Sequence, residues 1–339
     1  MRPLALLAPV LWLASGCSLH AQTGKVMSSY AVEHVTPYLM QSSDVSMVCQ
    51  TGVAMGAFLM SFERVTDPPD RAGLVTLMAA GMCAESEAWE AELAQLRAVR
   101  DNRAGEAQDA RIREQRAHEV AAERYQAAYA RLTRAFGAPG ETCPKLEGRD
   151  ELLYLLGLSS GLLAVFHDRA AGGSLGVPLS IPRAVAQAAR CVDDARFWGV
   201  PRALQAAVWA SVPGTVPDQT DPFAVLRESA RRGQAEGVRL AGAFLVQTAA
   251  GAGKSDELRR AIKDHAESVK AKPAALAWRM LDRYATLMIE HESDKLWTGA
   301  KGHRTPTGSL GAFADDDARD ATKPADDGQM LEGLEEEKK

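Results

Sequence analysis

Strand chemistry is nearly missing from this chain. Alternating apolar–polar runs, β-branched clusters and hairpin dipeptides are scarce, which argues against a sheet of any size. No Cys-x-x-Cys occurs, so zinc clusters and thioredoxin-like redox chemistry lack support. No His-Glu-x-x-His occurs, and the 7 histidines are scattered. Aromatic residues make up only 6% of the 339 positions. No basic stripe interleaved with aromatics offsets the net charge of −5, so nucleic acid is not expected as a partner. What is present is ordinary for a soluble globular protein: 46% hydrophobic and 24% charged residues, ample material for a core.

The N-terminus is not fold material. "MRPLALLAPVLWLASGCS" carries Arg2, an apolar stretch from Leu4 to Leu13, then Ala-Ser-Gly-Cys. The stretch is too short to span a bilayer as a helix and has the form of a secretory signal. The small residues before Cys17 resemble a bacterial lipobox, although Ala14 stands where Leu is usual. That resemblance implies residues 1–16 as signal peptide, Cys17 acylated as the first mature residue, and anchoring on the periplasmic side of a membrane. Ser18, rather than Asp, follows the cysteine, which in such lipoproteins implies the outer membrane.

Behind an export signal, the remaining cysteines Cys49, Cys83, Cys143 and Cys191 are disulfide candidates with three pairings open. Cys49 with Cys83 is favoured if their helices form a hairpin, Cys143 with Cys191 comes second, and buried free thiols stay open.

After a linker over residues 17–43, helical patterning continues to about residue 299. Val45, Val48, Cys49, Met55, Leu59 and Phe62 make one apolar helical face behind a capping Asp44. "TDPPD" ends it, and a longer helix follows. Tyr125, Tyr129, Leu132 and Phe136 share a face of the next helix. "ELLYLLGLSSGLLAVFHD" is apolar on nearly every side, with Gly157 and Gly161 four apart so that another helix can approach closely. Asp221-Pro222 starts a later helix in the cap-and-first-turn arrangement. The reading is all-α, an array of antiparallel helix pairs. From residue 300 to 339 the composition turns polar and acidic, which predicts a disordered tail.

Gly253-Lys254-Ser255 matches the end of a P-loop, but Thr248 holds the first glycine position and the preceding segment reads as a helix. The string is better explained as a turn between helices. Glu290, His291 and Glu292 are adjacent, and neighbours on a helix diverge by about 100°, so they do not converge on a metal. His167-Asp168 ends a helix, where imidazole suits the C-terminal dipole. No catalytic set, cofactor or metal site is assigned. Tyr154, Trp198 and Trp209 fall in one central stretch and are the candidates for lining a ligand cavity between helices.

The order of segments, above all Leu152-Leu153-Tyr154 and the span from Pro182 to Pro213, resembles the TatT-type lipoproteins associated with TRAP transporters. Cys191-Val192-Asp193-Asp194-Ala195 departs from their repeat pattern, and the spacing is irregular. The resemblance implies an irregular tetratricopeptide-like superhelical bundle and no enzyme. It further implies docking to a periplasmic solute-binding protein and a central cavity for a small hydrophobic molecule. An envelope-assembly lipoprotein acting only by protein docking is the alternative, and a homo-oligomer stays open.

Overall fold

The computed structural model of the chain describes residues 8–316, with side chains from Leu19 onward. The first seven residues of the signal segment, the Cys17 side chain and the tail after residue 316 lie outside the described residues. The helices are α1 (Ala8–Tyr30), α2 (Thr36–Met40), α3 (Val45–Met60), α4 (Asp70–Arg100), α5 (Ala104–Phe136), α6 (Asp150–Ala170), α7 (Ile181–Ala188), α8 (Val200–Ser211), α9 (Pro222–Glu236), α10 (Leu240–Gly251), α11 (Ser255–Ala271) and α12 (Arg279–Lys301). Among the described residues there is no strand, and the fold is all-α.

Local chemistry sets the helix ends. The Asp44 carboxylate accepts from the Met47 amide at 2.8 Å and opens α3. Asp221 does the same for the Phe223 amide at 2.9 Å, with Pro222 in the first turn of α9. Gly237, at φ +70°, stops α9 in a left-handed conformation that suits glycine.

Two boundaries differ from the sequence expectation. Residues 17–43 are helical as far as Met40 rather than a linker, because Gly24, Ala31, Thr36 and Met40 are buried and the stretch packs beneath α3 and α4. Residues 302–316 are packed rather than a free tail. The Thr305 amide donates to Asp294 at 3.0 Å, and the Trp297 indole donates to the Ala312 carbonyl at 3.0 Å. Phe313 is buried beneath the Arg259 guanidinium, 4.5 Å from its ring centre. The polar composition hid one anchoring aromatic and several charge-assisted contacts.

Consecutive helices pack as antiparallel neighbours, α3 on α4, α4 on α5 and α5 on α6. Disulfides join Cys49 to Cys83 across the α3–α4 hairpin and Cys143 to Cys191 across the connection around α6 and α7. Gly157 and Gly161 let α5 approach α6: a methyl at Gly157 would sit 2.5 Å from Leu132, and one at Gly161 2.6 Å from Tyr129. Further along, α10 packs between α8 and α12, α9 and α11 flank it, and α12 returns to α4. Arg239, almost fully buried, staples this half. Its guanidinium donates to both Asp282 oxygens at 2.9 Å, to Ser268 Oγ at 2.6 Å and to the Lys272 carbonyl.

Candidate functional site

The three aromatics expected around one cavity are not brought together. Tyr154 is buried with its ring edge-on to Phe136 at 5.7 Å. Trp198 packs on Trp278 at 5.0 Å, and Trp209 lies under the Arg202 guanidinium at 5.4 Å. None of them lines either of the two cavities described next. Each ring is spent on joining helices, the common fate of aromatics in an all-α core.

The open space lies elsewhere. A cleft of about 600 Å³ opens between the C-terminal half of α6, the start of α7 and the ends of α8 and α10. That is the size range of small-molecule sites. Leu163, Phe166, Val208 and Phe244 give it an apolar wall; Arg169, Ser211, Gln247 and Thr248 supply its polar groups. Phe166 is half exposed there. A second cavity, of only about 40 Å³, runs between α2, α3, α4 and α12, lined by Met40, Met55, Met78, Met82 and Met280. It holds little more than a solvent molecule, and methionine adapts easily to such gaps.

Behind the cleft wall, side chains from α4, α5, α6 and α12 form a buried polar chain. Tyr125 Oη donates to Glu85 Oε2 at 3.1 Å, and Tyr284 Oη donates to the same oxygen. The His167 Nε2 lies 3.1 Å from Glu85 Oε1. A carboxylate only accepts, so that nitrogen carries a proton, and the other ring nitrogen, Nδ1, lies 2.8 Å from His118 Nδ1. Glu85 and His167 are wholly inaccessible. Burial, and then the Glu85 charge, push the Tyr125 and Tyr284 hydroxyls well above the usual tyrosine range. Burial, and then the neighbouring His167, lower the His118 imidazole to about 4. Glu114 stands 3.8 Å from His118 Nε2; one of its oxygens pairs with Arg111 at 2.7 Å and the other is buried without a partner among the described residues.

Two helical turns beyond, His291 Nε2 donates to Glu92 at 2.8 Å and stacks on Trp89, with ring centres 5.0 Å apart. Lys295 bridges Glu92 at 3.1 Å and Glu292 at 3.2 Å. Burial raises the Glu92 carboxyl, but the His291 hydrogen bond and the Lys295 charge outweigh it and hold the group at about 2. Glu290 turns away to Arg283, so the acidic neighbours of His291 do diverge. Among the described residues no group of three or more His, Cys, Asp or Glu is arranged to hold a metal ion.

No family model matches the chain. No curated protein and no solved structure matches it either. The functional reading therefore rests on residues and geometry.

Two catalytic-looking strings are absorbed by the fold. Gly157-Leu158-Ser159-Ser160-Gly161 spells Gly-x-Ser-x-Gly. In a hydrolase that serine sits on a sharp strand-to-helix turn. Here the whole string lies inside α6, and Ser159 and Ser160 are buried, each donating to the carbonyl four residues back at 3.0 Å. The P-loop-like string begins in a helix, α10, and turns at Gly253 with φ +66°. Lys254 lies over the Phe223 ring at 4.9 Å. Ser255 is the first residue of α11 and makes no capping bond. Gly251 and Ala252 instead form part of the cleft rim. By length and composition, Val45–Arg64 could cross a membrane, but it is tied to α4 through Cys49–Cys83 and by close packing at Gly52.

Proposed function

We propose that this protein is a non-enzymatic, membrane-anchored periplasmic binding protein whose cleft between α6, α7, α8 and α10 holds a small apolar molecule. It docks a periplasmic solute-binding protein as an accessory of a TRAP transporter, the role implied by its resemblance to the TatT-type lipoproteins. The observation that carries the reading is the cleft: about 600 Å³, apolar on its wall and polar on a few named side chains. The Cys49–Cys83 and Cys143–Cys191 bonds suit an oxidising compartment. The buried His118–His167–Glu85 chain supports a structural rather than catalytic use of those groups, because they are bonded to one another.

Two measurements test it. The mature protein, immobilised and exposed to extract of its own envelope, should retain a solute-binding protein and a co-purifying small molecule, both identified by mass spectrometry. Recovery of neither overturns the reading. Cys17→Ala should move the protein from the membrane to the soluble fraction, and retention at the membrane contradicts the anchor.

A second reading, envelope assembly through docking alone, draws on exposed apolar side chains of the N-terminal helices, among them Val26, Tyr38, Val53 and Phe58. Ser211→Trp, placed at the exposed cleft mouth, separates the two: it abolishes ligand retention under the first reading and changes nothing under the second.

A further inference from the structure

The cleft has a sign. Among the described residues, Arg169, exposed at the end of α6, is the one cation lining it, and no acidic residue lines it. Its guanidinium has no ion pair and no side-chain hydrogen bond among the described residues. The acid beside it in the chain, Asp168, is committed elsewhere. Its two oxygens accept from the Leu175 and Val177 amides, each at 2.9 Å, and pin the following loop. The other polar groups of the cleft are equally unspent: Ser211, Gln247 and Thr248 make no side-chain hydrogen bond among the described residues. All three can donate. Next to these donors the wall of Leu163, Phe166, Val208 and Phe244 offers only hydrocarbon.

An unpaired guanidinium beside an apolar wall selects a ligand with both characters. Arginine presents a planar fork that matches an oxyanion with two parallel hydrogen bonds. A cationic ligand would meet an uncompensated like charge, and a wholly apolar one would leave the donors without acceptors.

We propose that the cleft takes an anionic amphiphile, its oxyanion head on Arg169 with support from Ser211 and Gln247, and its apolar chain along Phe166 and Phe244. This rests on the cleft reading given above and names its ligand class. A carboxylate and a phosphate monoester share the head chemistry.

The test compares four probes with one tail, used below their micelle thresholds: dodecanoate, dodecyl phosphate, dodecanol and dodecylamine. Affinities are read by isothermal calorimetry on the wild-type protein, Arg169→Gln, Arg169→Glu and Ser211→Trp, each first shown by circular dichroism to be folded. Arg169 is exposed, so its replacement does not disturb the core. The wild type binds an anion tighter than dodecanol by about tenfold or more, and binds dodecylamine most weakly. Whichever anion binds tighter identifies the natural head. Arg169→Gln erases the preference for the anions over dodecanol, and Arg169→Glu reverses it toward dodecylamine. Equal affinity of the wild type for dodecanol and both anions, unchanged by either substitution, overturns the anionic assignment but leaves the apolar cleft standing. Binding that is absent for every probe, or indifferent to Ser211→Trp, overturns both.

Discussion

Phe166 sets the edge of its ring against the His167 imidazole, with centres 5.2 Å apart and planes at 81°. The same ring stands edge-on to His118 at 6.4 Å. One side chain is thus both the wall of the open cleft and the cover of the buried histidine pair. The cleft and the buried histidine pair share the Phe166 ring.

Removing that cover should be visible in the histidine beneath it. Burial is the first cause of the low His118 value of about 4. Phe166→Ala admits water from the cleft, and the His118 titration should move up toward the ordinary 6.5, followed by imidazole chemical shifts across pH. An unchanged titration would show that the ring does not shield the pair.

Stability should fall on mild acidification. Both His118, at about 4, and His265, at about 3, have folded values below the unfolded 6.5. Between pH 6.5 and those values the unfolded chain binds protons that the folded chain refuses, so stability is complete above 6.5 and is lost as pH drops. For His265 burial is the first cause and the Arg239 and Arg283 charges the next; neither ring nitrogen has a hydrogen-bond partner among the described residues. His265→Leu should therefore flatten the decline and raise stability at pH 5, measured as urea midpoints from pH 7 to 4. A steeper decline in the variant would contradict this.

Glu85 is the shared acceptor of two tyrosines and a histidine. Glu85→Leu leaves three buried donors unanswered and should cost about 3–5 kcal/mol, whereas Glu85→Gln, which can still accept at one oxygen, should cost less. Guanidinium denaturation ranks the two. Equal, small losses would mean that the network contributes little to the fold.

The two disulfides close segments of 34 and 48 residues. Each should contribute about 2–4 kcal/mol, so reduction of both should lower the urea midpoint sharply, and the paired Cys49→Ala and Cys83→Ala substitutions should account for part of the drop. No change under reductant would contradict a stapled fold.

The helix layout could be read from the chain because apolar periodicity, Asp caps and proline breaks act locally. The sequence also placed glycines 157 and 161 at a close helix contact, where Leu132 and Tyr129 now sit. The cleft was not legible, since it arises from the ends of α6, α8 and α10 meeting. The aromatic residues expected to line it, Tyr154, Trp198 and Trp209, serve as packing instead. The polar network did leave a trace. Glu85 and Glu92 fall on the same helical stripe as Met78, Met82 and Trp89, at steps of four and three. His118 and His167 occupy comparable positions beside Ala121 and Ala164. A charged residue recurring on a buried stripe marks a polar core, but its partners lie on other helices and no local pattern names them.

The central claim is that the α6–α8–α10 cleft binds an apolar chain. Photoaffinity labelling tests it most directly: a diazirine-tagged dodecanoate is bound to the purified protein, irradiated, and its attachment sites are mapped by peptide mass spectrometry. The account predicts labels concentrated on residues 162–170, 207–212 and 244–252, suppressed by excess dodecanoate and absent in Ser211→Trp. Labels confined to the methionine-lined gap or spread over the N-terminal helices, with those three segments clean, would contradict it.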